Sequence, residues 1–128
     1  MESLVLKVLD EKLAICRQSP DDPIATWASP PANFLSVTLT KDELSIVCSS
    51  EKVPGRIKCE RDLIAFKADG PLDLNQTGIL ASIAKVLAEA EISIFTISTY
   101  ETVYILVKED ARRKSIEALK KAGYKIKQ

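Results

Sequence analysis

The sequence predicts an α+β protein, a ferredoxin-like βαββαβ sandwich in tandem with a reduced, β-rich version of the same unit. Three observations predict it. A stripe of apolar residues with helical period runs from Ile79 to Ala90. Two short apolar runs follow it across a polar tip, "FTISTYETVYILV". A second helical stretch and a final "YKIK" then complete the order strand, helix, strand, strand, helix, strand. Two right-handed crossovers in that order give a four-stranded antiparallel sheet with both helices on one face.

Each element has a local reason. "DLIAFKA" (62–68) is an apolar strand closed by Asp69, Gly70 and Pro71. Ile79, Ile83, Val86, Leu87 and Ala90 then line one face of a helix, with Thr77 as the expected N-cap. "ISIFTIS" and "VYILVK" read as strands. Asp110 is the expected cap of the second helix, Ile116 and Leu119 share its buried face, and Gly123 ends it. In the first half, "LVLKVLD" and "KLAICR" read as a hairpin around Asp10 and Glu11. "FLSVTLT" and "ELSIVCSS" read as another around Lys41 and Asp42. Four prolines between residues 20 and 31 leave room for a short helical turn near Asp22 to Trp27 and no more. The division falls at 1–60 for the reduced unit and 61–128 for the complete one.

Composition excludes several function classes. Eighteen basic residues balance eighteen acidic ones, so a general polyanion binder is disfavoured. The last stretch, from Lys108, carries a local basic surplus, which reads as a solvated helix face. The predicted sheet also lacks aromatic residues interleaved with basic ones, as RNA-binding sheets of this topology need. The chain contains no histidine, which removes His-activated nucleophiles and the commonest metal ligand. Cys16, Cys48 and Cys59 stand far apart with no C-x-x-C pair and read as buried, reduced thiols of a cytoplasmic protein. Acids interrupt the apolar residues of "MESLVLKVLDEKL", so neither a signal peptide nor a membrane span is expected there. No cofactor, metal, nucleic acid or membrane is called for, and no catalytic constellation emerges.

The segment "DLNQTGIL" (73–80) is the one place where polar chemistry meets a helix start. The first N–H groups of a helix lack internal partners and carry the positive end of its dipole. Gly78 lets a carboxylate approach the amides of Thr77, Gly78 and Ile79. Asn75 and Gln76 offer carbonyls to an ammonium, so the loop suits an α-amino acid. The plainer alternative is a Thr77 cap with Gly78 as a packing residue. The tip "STYET" raises a second question, since it contains none of the usual turn formers.

The stretch "GPLDLNQTGILASIAKVLAEAEISIFTISTYETVYILV" resembles the signature of ACT domains. It is most similar to small two-part microbial ACT proteins related to the cytosolic arginine sensors and, more distantly, to the regulatory part of aspartate kinase. "TLTKDELSIVC" resembles the first, reduced unit of that group, so the likeness runs from Phe34 onward. The resemblance implies a non-enzymatic regulator that holds a small ligand, usually an amino acid, at an interface between ACT units. It implies a homodimer through sheet edges and a protein partner that reads the assembly. It places the ligand loop on Asn75, Gln76, Thr77, Gly78 and Ile79. The facing strand falls on Thr96, Ile97, Ser98 and Thr99, whose hydroxyls would meet a ligand or a neighbour's backbone. Relatives carry an acid where this chain has Val103, which implies a smaller or apolar ligand side chain in place of a cationic one. The alternative from another class is a protein–protein interaction module with a degenerate ligand site.

Overall fold

The computed structural model describes residues 4–69 and 78–128. In chain order the strands and helices begin with β1 (Val5–Val8), β2 (Leu13–Gln18), β3 (Leu35–Leu39), β4 (Leu44–Ser49) and β5 (Cys59–Ala68). They continue with α1 (Ile79–Glu89), β6 (Phe95–Ser98), β7 (Val103–Lys108), α2 (Arg112–Lys121) and β8 (Lys125–Lys127). The chain divides into two compact units, Met1–Asp10 with Ile64–Gln128, and Glu11–Leu63. The boundary falls inside β5, and the amino-terminal strand joins the carboxy-terminal unit, whereas the sequence reading cut the chain once after residue 60.

The larger unit is the βαββαβ sandwich with one strand added. Its sheet order is β8-β1-β5-β7-β6. β1 runs antiparallel to β5 (Leu6 opposite Ala68) and parallel to β8 (Leu6 opposite Ile126). The expected hairpin between β1 and β2 is therefore absent, and the expected four-stranded sheet has five strands. The physical reason is burial of one face: Leu6 and Val8 complete a core with Ile64, Phe66, Val103, Ile105 and Val107. α1 contributes Ile83 and Leu87 to that core and α2 contributes Leu119, so both helices cover the same sheet face.

Helix ends follow backbone chemistry. Gly78 is the α1 N-cap at φ 83°, in the left-handed region, and it displaces Thr77 from that role. α2 is preceded by a 3-10 turn, Glu109–Ala111, which moves its N-cap from Asp110 to Ala111. Gly123, at φ 103°, ends α2 as expected, with its N–H on Lys120 O and the Tyr124 N–H on Leu119 O, both at 3.0 Å. The Tyr124 hydroxyl then meets the Ser82 hydroxyl of α1. Ser115 on α2 is wholly buried and its hydroxyl has no partner among the described residues. Ser115→Ala is expected to raise stability by about 1 kcal/mol, because a buried, unpaired hydroxyl is removed; a lower melting midpoint in the variant would contradict this.

The smaller unit has sheet order β3-β4-β2-β5, all antiparallel neighbours. Numbered from β2, this is the strand order 2-3-1-4 of a ferredoxin-like unit. The first crossover, residues 19–34, holds only turns and bends, within the limit that its prolines set. The second holds a single 3-10 turn, Ser50–Lys52. Ala14, Cys16, Ala28, Leu44, Ile46, Cys48 and Val53 form the core. β5 is bulged against β2: Leu63 opposes Leu13 but Glu60 opposes Ile15. Asp62 takes up the extra residue at φ 55° and donates its N–H to Ser50 Oγ at 2.8 Å.

The cysteines depart from the expectation of three free thiols. Cys16 and Cys59 are register partners on β2 and β5, with Cα atoms 4.1 Å apart, and are joined by a disulfide. Cys48 is free and buried. Burial pushes its thiol above the usual range, more than the nearby Lys52 charge lowers it.

Candidate functional site

The larger unit gathers the chemistry of interest at one end. A right-handed crossover sets α1 antiparallel to β5, so the helix begins at the end of the sheet where β5 finishes. The tip between β6 and β7 lies at that end too, because Thr102 donates its hydroxyl to the carbonyl of Ala68, near the end of β5.

The start of α1 is bare. Gly78 has no side chain to cap the helix, and no acidic residue stands in the first turn. The first intrahelical bond is Ser82 N–H to Gly78 O at 2.8 Å, which leaves the N–H groups of Ile79, Leu80 and Ala81 without helical acceptors. Gly78 is exposed and Ile79 half-buried. Among the described residues, nothing lies within 4 Å of where a Cβ on Gly78 would stand. Asn75, Gln76 and Thr77 lie outside the described residues.

β6 supplies an edge. Thr96 and Ser98 are exposed and Ile97 half-buried, and they pair with Ile105, Val103 and Tyr104 of β7 respectively. Val103 is 5 % exposed and belongs to the apolar core with Ile105 and Val107.

The tip closes without a glycine because threonine hydroxyls replace the turn former. Thr99 donates its N–H to Thr102 O at 2.8 Å. Its hydroxyl accepts the Thr102 N–H at 3.3 Å. Tyr100 is left 84 % exposed. The β3–β4 hairpin of the smaller unit closes in the same way: Thr40 donates its N–H to Glu43 O at 2.9 Å, and its hydroxyl accepts the Glu43 N–H at 3.2 Å. Thr99 is thus engaged in its own turn. Thr102, which ties the tip to β5, escaped the sequence reading. The signal that could have found it is the shared spacing of Thr40-x-x-Glu43 and Thr99-x-x-Thr102.

Among the described residues no group of His, Cys, Asp or Glu could hold a metal ion. No helix there is long and apolar enough to cross a membrane.

Comparison with known proteins matches this architecture. A family model described as an ACT domain matches residues 58–121. A second model, of an N-terminal domain, matches residues 11–56. No match was found among curated proteins. Among solved structures, a protein from Agrobacterium tumefaciens is 32 % identical with a TM-score of 0.90, over 98 % of this chain and 93 % of that one. A protein of unknown function from Vibrio cholerae, described as a possible transport protein, has a TM-score of 0.75 at 18 % identity, covering 93 % and 89 % of the two chains. The ligand-free regulatory subunit of aspartate kinase from Thermus thermophilus has a TM-score of 0.61 at 14 % identity, over 91 % and 97 %. The strand order, the paired helices and the matched residues make this chain a member of the ACT domain family.

Proposed function

We propose that the protein is a non-enzymatic sensor that binds an amino acid and passes its binding state to a protein partner. The observation that carries this reading is the start of α1: three N–H groups without helical acceptors, no side-chain cap among the described residues and no acid in the first turn, at an exposed glycine. A ligand carboxylate is the group such a helix end prefers. The polar residues Asn75, Gln76 and Thr77 precede it in sequence, and a ligand ammonium would meet their carbonyls. Thr96, Ile97 and Ser98 offer a second wall, and Thr99 lends only what its turn leaves over. Val103, an apolar core residue, leaves no acid at that position to hold a cationic side chain, so a small or apolar amino acid is the preferred ligand. Two copies pair through sheet edges, and the ligand favours one arrangement of ACT units, which a partner then reads.

Thermal unfolding against each amino acid at millimolar concentration tests the proposal. A ligand at ~100 times its Kd adds about 2.7 kcal/mol, which moves the midpoint by several degrees. One or two selective stabilisers are expected. Gly78→Asn is the matching variant, because Asn tolerates the left-handed backbone and its side chain occupies the helix-end donors. Gly78→Val is less informative, since a β-branched residue is strained at φ 83° whatever the space around it. The Gly78→Asn protein should melt normally and lose the ligand shift. A flat panel with folded protein would favour the interaction module, for which the exposed Tyr100 speaks.

A further inference from the structure

We propose that the edge strand β3 is the surface through which two copies of this chain pair, antiparallel about a two-fold axis at Val37. The proposal rests on the reading that the protein dimerises through sheet edges, and it names the edge.

β3 is terminal in its sheet and pairs with β4 alone among the described residues. Natural edge strands are protected by lysine, proline or charge. β8, at one edge of the other unit, is Lys-Ile-Lys. β3 has no such guard: Leu35-Ser36-Val37-Thr38-Leu39 contains no charge and no proline. Val37 is 38 % and Leu39 64 % exposed, two of the most exposed large apolar residues of the protein. They share a face with Leu35, which packs against the core of the smaller unit, because their register partners Ile46, Leu44 and Cys48 all belong to it. The missing crossover helix explains the exposure: in a complete βαββαβ unit a helix would cover this face.

What selects a second copy as the occupant is the strand's own symmetry. Read about Val37, the sequence is a near-palindrome, Leu-Ser-Val-Thr-Leu. Antiparallel pairing about that residue sets Val37 against Val37, Leu35 against Leu39 and Ser36 against Thr38. Apolar side chains then meet apolar ones, and hydroxyls meet hydroxyls.

The backbone demands the same register. Thr40 donates to Glu43 O, so Thr40 is a hydrogen-bonded position of the β3–β4 ladder. The ladder alternates, so Thr38 and Ser36 turn their amides toward β4 while Leu39, Val37 and Leu35 turn theirs to the free edge. Pairing at Val37 joins those three outward residues to their counterparts, and each N–H and C=O gains a partner. Hydrogen bonding thus admits the registers that oppose outward residues, of which the Val37 register alone uses all three, and side-chain matching selects that one.

The test is the mass in solution, by light scattering coupled to gel filtration, of three full-length proteins. The unmodified chain is expected at twice its 14.1 kDa. Val37→Lys sets two ammonium groups face to face and is expected at 14.1 kDa, with an unchanged circular-dichroism spectrum because Val37 is partly solvated already. Val37→Glu should behave alike, and mixing the two variants should restore the double mass, since Lys then opposes Glu across the axis. An unmodified chain that stays single at 100 μM overturns both this proposal and edge dimerisation. A Val37→Lys protein that remains double overturns the β3 assignment alone and moves the contact to another edge. Failure of the mixture to pair overturns the register.

Discussion

Reduction of the Cys16–Cys59 bond is expected to lower the unfolding free energy by up to about 4 kcal/mol. The bond closes a loop with a sequence separation of 43, and the entropy returned to the unfolded chain by opening such a loop has that magnitude. It also staples β2 to β5, the first and fourth strands of a unit that lacks both crossover helices. Few apolar contacts replace it: the core of that unit is built largely from alanine, cysteine and single aliphatic residues. Denaturant unfolding with and without a phosphine reductant, compared with a Cys16→Ser, Cys59→Ser double variant, measures the effect. Equal midpoints in all three would show that the bond contributes nothing. Thiol titration supplies the control. The oxidised, folded protein should show no reactive thiol, because Cys48 is buried and its thiol is held protonated; unfolding should expose one.

Phe66→Ala is expected to cost about 3–5 kcal/mol. Phe66 is wholly buried on β5, opposite Val8 of the inserted strand, and belongs to the core that both helices cover. Deleting its ring leaves a cavity whose walls, three strands and two helices, are each fixed by their own hydrogen bonds and collapse only in part. Against a total stability of about 5–15 kcal/mol, that is a large share. The denaturation midpoint should fall with little change in slope; a loss under 1 kcal/mol would mean that the core refills the space. A loosened α1 would weaken the proposed ligand site as well, so the variant should also bind less tightly at temperatures where it remains folded.

The elements carried by short-range patterns were legible. The stripe from Ile79 to Ala90 forms α1, the Gly123 stop ends α2, and the β3–β4 and β6–β7 hairpins form in sequence neighbours. What the sequence concealed was set by distant partners. β1 reads as a hairpin arm beside β2, yet it pairs with residues some sixty and a hundred and twenty positions onward, and nothing in "VLKV" says so. The Cys16–Cys59 bond depends on the register of two strands with the whole smaller unit between them. The start of α1 moved by one residue because Gly78, at positive φ, takes the cap position. Around the candidate site, α1 and β6 were legible as elements, whereas Thr99, whose hydroxyl was expected to face a ligand or a neighbour, is engaged in its own turn. The tip's threonines hold the turn together, a use that only the geometry of Thr99 and Thr102 reveals.

The insertion of β1 between β5 and β8 has a consequence for synthesis on the ribosome. β1 finds its parallel partner in β8, about a hundred and twenty residues later, with Lys125 donating its N–H to Leu4 O. Residues 11–63 can complete their own unit while the chain is still growing, because β2, β3, β4 and the first half of β5 lie within them. Leu6 and Val8 must wait, apolar and unpaired, through the whole of that interval. The sandwich that carries the proposed site closes only once β8 has left the ribosome, so a binding-competent fold is born well after its first strand.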